Sequence, residues 1–294
     1  MKFANENAAT AYRVLNKCAQ EMEPAGPWRW RCVMQNGTRM NIAAAMEDGF
    51  LQLVCRPDVN HNAALALEDA MLRNKTLAGG VKLAMNSSIG GLHLRTDIVI
   101  VEERQLLERL EWALEGFHEG NRLLLSSDLL NESARQQTAP EADLYERLRE
   151  SPWSCTKRGP NNYSVELDAQ AAPPAGIRIN GSNLELSVEL LRCGAPSNAS
   201  RHALALFLLT ATSALRMVCA YAAQAEDQES YGLQVSLPSS AASAEIDHGL
   251  AALSIAYRMC AQETAVLLQA AAAHHYLAAR DHSTTDNHQT EKEN

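Results

Sequence analysis

Aromatic side chains, excess positive charge and long apolar runs are all scarce in this 294-residue chain, and each shortage removes a class of function. Aromatics make up 5% of the residues, so any core must be built mainly from Leu, Ala, Val, Ile and Met. Lys and Arg number 26 against 35 Asp and Glu, a net charge of -9. Affinity for phosphate backbones comes largely from Lys and Arg, so this balance argues against a nucleic-acid partner. It favours solubility and partners with basic segments. The most membrane-like stretch, Ala203 to Ala223, is interrupted by Thr210, Thr212, Ser213 and Arg216. Its apolar runs fall well short of the roughly 18–20 residues a span needs, and it reads as a buried helix followed by a strand. The N-terminus is polar where a signal peptide has its apolar core.

Chemistry-bearing motifs are missing as well. The seven cysteines are widely spaced and contain no C-x-x-C, which fits free thiols in a reducing cytosol and supports neither a disulfide framework nor a zinc ribbon. A cytoplasmic location is expected. There is no phosphate-cradling G-x-x-x-x-G-K-[ST] or G-x-G-x-x-G, no G-x-S-x-G and no H-E-x-x-H. The adjacent pairs His118-Glu119 and His274-His275 fall on helical segments, where neighbours point in different directions and cannot comfortably share a metal ion. Cys32 and Cys155 have no nearby His or helix N-terminus to activate them, and read as small hydrophobes. Trp28 and Trp30 alternate with Arg29 and Arg31 as on an inward-facing strand. No catalytic residue, cofactor or metal is expected, and the chain reads as a non-enzyme.

What is present is a duplication. Pro27-Trp28 recurs as Pro152-Trp153, Ala64 to Leu67 as Ala203 to Leu206, and Gly91-Leu92-His93-Leu94 as Gly232-Leu233-Gln234-Val235. Leu107, Leu110 and Leu114 are echoed by Leu250, Leu253 and Tyr257. The anchors keep their order, as tandem copies with loop insertions would. Residues 1–128 form the first module, 129–140 a Ser-, Gln- and Asn-rich linker, 141–280 the second module, and 281–294 a polar tail expected to be disordered.

In the first copy, periodicity predicts a helix over Ala8 to Met22, then alternating strands over Trp28–Met34, Arg39–Met46 and Phe50–Cys55 with turns at Asn36-Gly37 and Asp48-Gly49. A helix from Asn62 to Leu77, strands over Val81–Met85 and Gly91–Ile100, and a long helix from Glu102 to Leu125 complete an αβββαββα module. In the second copy, strand segments are expected at Ser154–Lys157, Tyr163–Leu167, Gly176–Ile179 and Leu184–Leu191. A helix over Arg201–Ser213, strands over Met217–Ala223 and Tyr231–Leu237, and one helix over Ser243–Ala279 follow. The fold class is α+β, two antiparallel sheets packed with helices.

This element order resembles the type III secretion chaperone-like fold, which includes Tir-type effector chaperones and YbjN-type regulators. The segment Lys82-Leu83-Ala84-Met85-Asn86, a Gly turn, Gly91 to Asp97 and a helix opening near Glu102 look like that family's second half. The low pI of about 5.5 is similar too. The resemblance implies a five-stranded antiparallel sheet per module and a non-enzymatic protein, linked to type III secretion, that holds another protein or its extended segment. Such chaperones are usually single modules that homodimerise. Two modules in one chain would make either a monomeric pseudo-dimer or a homodimer of the fused pair.

One charge pattern stands out. Arg29, Arg31, Arg39, Lys82, His93 and Arg95 all fall on the sheet side opposite the apolar positions of the first copy. The comparable side of the second carries Glu166, Asp168, Glu185 and Glu189. Residues 1–140 hold 15 basic and 17 acidic side chains, and residues 141–294 hold 11 and 18. The six basic positions are the candidate partner-binding residues, either docking against the acidic face of copy two or receiving an acidic ligand. The alternative function is a regulator that binds a small molecule or anion on the same face.

Overall fold

The computed structural model describes residues 6–36, 38–56, 66–77, 79–86, 91–125, 141–168, 172–225 and 227–290. The expected linker, 129–140, lies outside them, as do residues 291–294 of the expected tail. The first copy runs α1 (Glu6–Cys18), β1 (Ala19–Gly26), β2 (Arg29–Asn36), β3 (Thr38–Glu47), β4 (Phe50–Cys55), α2 (Leu67–Asn74), β5 (Lys82–Asn86), β6 (Gly91–Val99) and α3 (Glu103–Leu125). The second runs α4 (Glu141–Arg149), β7 (Cys155–Gly159), β8 (Asn162–Val165), β9 (Ala175–Asn180), β10 (Asn183–Cys193), α5 (Asn198–Ala214), β11 (Val218–Ala225), β12 (Gln228–Pro238), α6 (Ser243–Leu267) and α7 (Ala270–Thr290).

Each copy builds one six-stranded antiparallel sheet, in the orders β1-β2-β3-β4-β6-β5 and β7-β8-β9-β10-β12-β11. The two orders are identical once strands are matched by position. The final hairpin returns so that its second strand pairs with the end of the meander and its first strand forms an edge. Two tandem α+β modules of one topology are therefore present.

The meander has four strands per copy where three were expected in the first. The chain leaves the helix at Cys18 and pairs with β2, with register irregularities between Ala19 and Glu21 and between Pro24 and Gly26. Apolar Tyr12, Leu15, Ala19 and Met22 fit a helical period, but pairing with β2 overrides it after Cys18. Pro24 is tolerated because β1 is an edge strand. The Pro-Trp anchor also fails: Pro27-Trp28 forms the β1–β2 turn, whereas Pro152-Trp153 precedes β7. The single final helix is two, broken at Leu268-Gln269, where Ser200 Oγ donates to the Leu268 carbonyl at 3.0 Å. Helix α7 runs on to Thr290, past the Arg280 where composition placed the end of the folded chain.

One face of each sheet is covered. In the first, Trp30, Cys32, Ile42, Ala44, Leu53 and Leu94 are buried and in register across the strands. They meet Ala11, Val14 and Leu15 of α1 and Leu106, Leu110 and Phe117 of α3. In the second, Val165, Ile177, Leu186, Val235 and Ala220 do the same beneath α6. The outer edges carry Glu21, Glu23 and Pro24 on β1 and Lys157 and Arg158 on β7, substitutions that discourage further strand pairing.

The inner edges, β5 and β11, lie at the boundary between modules. Helix α2 packs on β11 as well as on its own β5, α5 packs on β5 as well as on its own β11, and the two helices touch. Each middle helix thus closes the other module. The turn into β5 comes so near α3 that only glycine fits. Gly79 has φ +71°, and a Cβ there would lie 2.6 Å from the Trp112 carbonyl oxygen and 2.8 Å from Gly116 Cα. Gly79→Ala is expected to destabilise the protein by about 2–4 kcal/mol, combining a left-handed residue with overpacking against backbone. Denaturant melts of the two proteins check this.

Candidate functional site

The strand registers place all six candidate residues on one face. Arg31 pairs with Ala43, Ala43 with Val54, Val54 with Arg95 and Arg95 with Lys82, a single row across the sheet. Arg29 lies one row away with Ala45, Gln52 and Asp97, and His93 lies opposite Ala84. The face then divides in two. Over β2 and β3 it is open, with Arg29, Arg31, Arg39, Asn41 and Ala43 exposed and Val33, Ala45 and Val54 half-buried between them. Glu21 and Glu23 of β1 join this face, and Glu21 lies 3.3 Å from Arg39. Arg29 and Arg31 form no ion pair among the described residues.

Over β5 and β6 the same face is covered by the second module. Lys82 is 2% exposed, and its ammonium donates to the carbonyls of Thr212 at 2.8 Å, Leu215 at 2.6 Å and Val218 at 2.9 Å. All three of its protons are used. Arg95 donates to the Ser213 carbonyl and, at 2.7 Å, to Asp97 Oδ1. Asp97 Oδ2 lies 3.6 Å from Lys82 and accepts from the Met217 N–H at 3.2 Å. The last turn of a helix leaves its carbonyls without intrahelical donors and carries the negative end of the helix dipole. The last turn of α5 carries no basic residue of its own, and among the described residues Lys82 and Arg95 of the first module supply two cations to it.

Further contacts tie the modules together. Arg109 of α3 forms a two-pronged pair with Glu245 of α6, 3.0 Å at each prong, and also reaches Ser240. Arg216 donates to the Glu47 carbonyl at 3.0 Å and to Asp48 Oδ2 at 2.9 Å, and stacks 4.8 Å from the Phe50 ring centre. Asn74 at the end of α2 bonds both backbone groups of Leu83 and the Ala220 carbonyl. Trp112 Nε1 donates to Asn183 Oδ1 at 3.2 Å.

Of the four acidic residues singled out on the second sheet, three pair within their own module. Glu185 pairs with Arg178 and Glu189 with Arg192 on their own sheet, while Asp168 lies 3.4 Å from Arg258. Docking of basic face on acidic face is therefore corrected: the basic residues that dock do so on helix-end carbonyls. His93 is buried, and its Nδ1 has no hydrogen-bond partner among the described residues. Burial, with Arg95 and Lys82 nearby, pushes its pKa down. Burial raises the Cys32 thiol to about 11 and raises Cys155 as well, so neither is primed as a thiolate. No group of three His, Cys, Asp or Glu could hold a metal ion among the described residues. Sequence reading missed Asp97 and the contact residues Arg109 and Arg216. Alternation along β6 was the available signal for Asp97, because it shares a face with His93 and Arg95. The chain matches no protein-family model and no curated protein.

Charge sets the pH response of the clamp. Burial works against a charged Asp97, but Lys82, Arg95 and the Met217 N–H outweigh it and hold its pKa below the ordinary carboxylate range. Its stabilisation is present above that range and is lost as pH falls through the depressed value. Burial lowers Lys82 from 10.5 to about 8, against the pull of Asp97. The unfolded chain then binds more protons between those values, so this group makes stability rise with pH across that window. Asp97→Asn leaves two cations uncompensated in the interface and is expected to cost about 3–5 kcal/mol. It should also flatten the acid limb of the stability curve. Chemical melts from pH 3 to pH 7 (roughly the range over which carboxylates titrate) read both effects.

Proposed function

We propose that the chain is a non-enzymatic, cytoplasmic protein-binding module, a fused pseudo-dimer of chaperone-like units that acts as an adaptor or holder of another protein. The partner's segment lies across the open half of the first sheet, against Arg29 and Arg31. The observation that carries this reading is the uncovered face over β2 and β3. A sheet normally turns apolar or small residues toward cover and charged ones toward water. Here Val33, Ala43, Ala45 and Val54 form a low, largely apolar floor with Arg29, Arg31 and Arg39 standing around it, and among the described residues no helix packs on them.

The dispersal of reactive residues supports the non-enzymatic part of the reading, since Cys32, Cys155, Cys219 and Cys260 are desolvated rather than activated. The resemblance of the β5-β6-α3 portion to the second half of secretion chaperones supports the holder function and a link to type III secretion. The alternative, an anion-binding regulator, draws on the same two unpaired arginines, which sit two residues apart on one strand face.

A photo-crosslinking residue at position 43 should label a discrete protein in cells, whereas the same residue at position 262 on exposed α6 should not. Arg29→Glu with Arg31→Glu should reduce that labelling about tenfold or more, most strongly at low salt. Folding should be unaffected to within about 0.5 kcal/mol, because both side chains are exposed. Equal labelling from both positions would remove the protein-binding reading. A thermal shift with small anions that the double variant abolishes, without any crosslinked protein, would install the alternative in its place.

A further inference from the structure

The connector between α5 and β11 holds a left-handed, non-glycine residue. Met217 has φ +61°, a left-handed conformation that a residue with a side chain adopts at a cost. The Val218 N–H donates to the Arg216 carbonyl at 2.7 Å. An i to i+2 bond around a positive-φ residue marks a γ-turn of the rare, strained kind. Strain of this sort persists only where the surroundings over-determine it.

The surroundings here belong to the other module. Asp97 accepts from the Met217 N–H, Lys82 donates to the carbonyls on both sides of it at Leu215 and Val218, and Arg95 takes Ser213. The β3–β4 turn holds Arg216 through Glu47 and Asp48. Apart from the turn's own bond, every side-chain hydrogen bond to Leu215, Arg216 and Met217 among the described residues comes from the first module.

We infer that the α5–β11 connector is a conformational latch: it takes the strained γ-turn only while docked on the first module and relaxes to an ordinary turn when the modules part. The second module therefore registers whether the first is in contact with it. The latch lies beside the open face, because Arg95 shares a strand row with Arg31. This inference is independent of what that face binds.

A comparison of glycine with alanine at position 217 isolates the backbone effect, since both substitutions remove the Met side chain. In the otherwise native chain, Met217→Gly should melt above Met217→Ala by roughly 2–4 °C, because glycine accepts positive φ without strain. In the Asp97→Asn background the order should vanish or invert, since a relaxed turn favours alanine. An equal advantage for glycine in both backgrounds, or none in the native one, overturns the latch. Native-state hydrogen exchange of the unsubstituted protein gives a second test that needs no folded variant. The Met217 and Val218 amides should open together with the β5 amides at the module boundary, in one step below global unfolding. Opening only with the whole β11–β12 ladder overturns it as well.

Discussion

The end of one helix governs this architecture. A helix C-terminus buried away from water must find donors for its last carbonyls, and leaving them empty costs about 1–3 kcal/mol each. Helix α5 ends beneath the edge of the other module's sheet, and Lys82 and Arg95 fill that need with full positive charges. Those cations in turn require Asp97, which is equally buried. The order of dependence is therefore helix end, then cations, then carboxylate. None of the three groups is tolerable without the others, and the modules are joined by mutual electrostatic need as much as by apolar contact.

That need explains why one strip of charged residues has two fates. The same sheet face continues from β6 to β2 without a break in register, yet its inner half is desolvated and its outer half is open. Exposed Arg29 and Arg31 contribute little to module stability, since charges in water interact at high dielectric. Buried Lys82 and half-buried Arg95 are structural. Grouping all six by face was correct geometry, but face alone does not decide function. Position relative to the neighbouring module does, and strand alternation carries no information about that neighbour.

The periodic elements were legible in the sequence because their signals are local. Phe50–Cys55 and the strand segments of the second copy are set by alternation between turn residues, and α3 by its leucine stripe. β1 was not legible locally, because Tyr12, Leu15, Ala19 and Met22 satisfy a helical period until pairing with β2 overrides it. It was legible by comparison: the second copy displays four strand segments before its middle helix, and a duplication requires a fourth in the first. The Pro-Trp match obscured this by aligning a turn after β1 with a turn before β7. Arg109, Arg216 and Asn74 carry no periodic signature at all. Their partners in the other module are more than 130 residues away, and only packing brings them together.

The clamp also shows what fusion permits. Matched through the two-residue hairpins at Asp48-Gly49 and Gly181-Ser182, the second copy has Cys219, Gln234 and Ser236 at the positions that correspond to Lys82, Arg95 and Asp97. In a homodimer every contact made by one subunit is made again by the other, so a cation directed at the partner's helix end must appear twice. Two buried lysines with two carboxylates would then converge on a single boundary, doubling a desolvation cost that amounts to several kcal/mol per ion. Placing both modules in one chain lifts that constraint. One copy can specialise as the donor of charge and the other as the receiver, and the pairing becomes directional. The first copy keeps an unpaired charged face beside its half of the clamp, while the second keeps the backbone that responds to it.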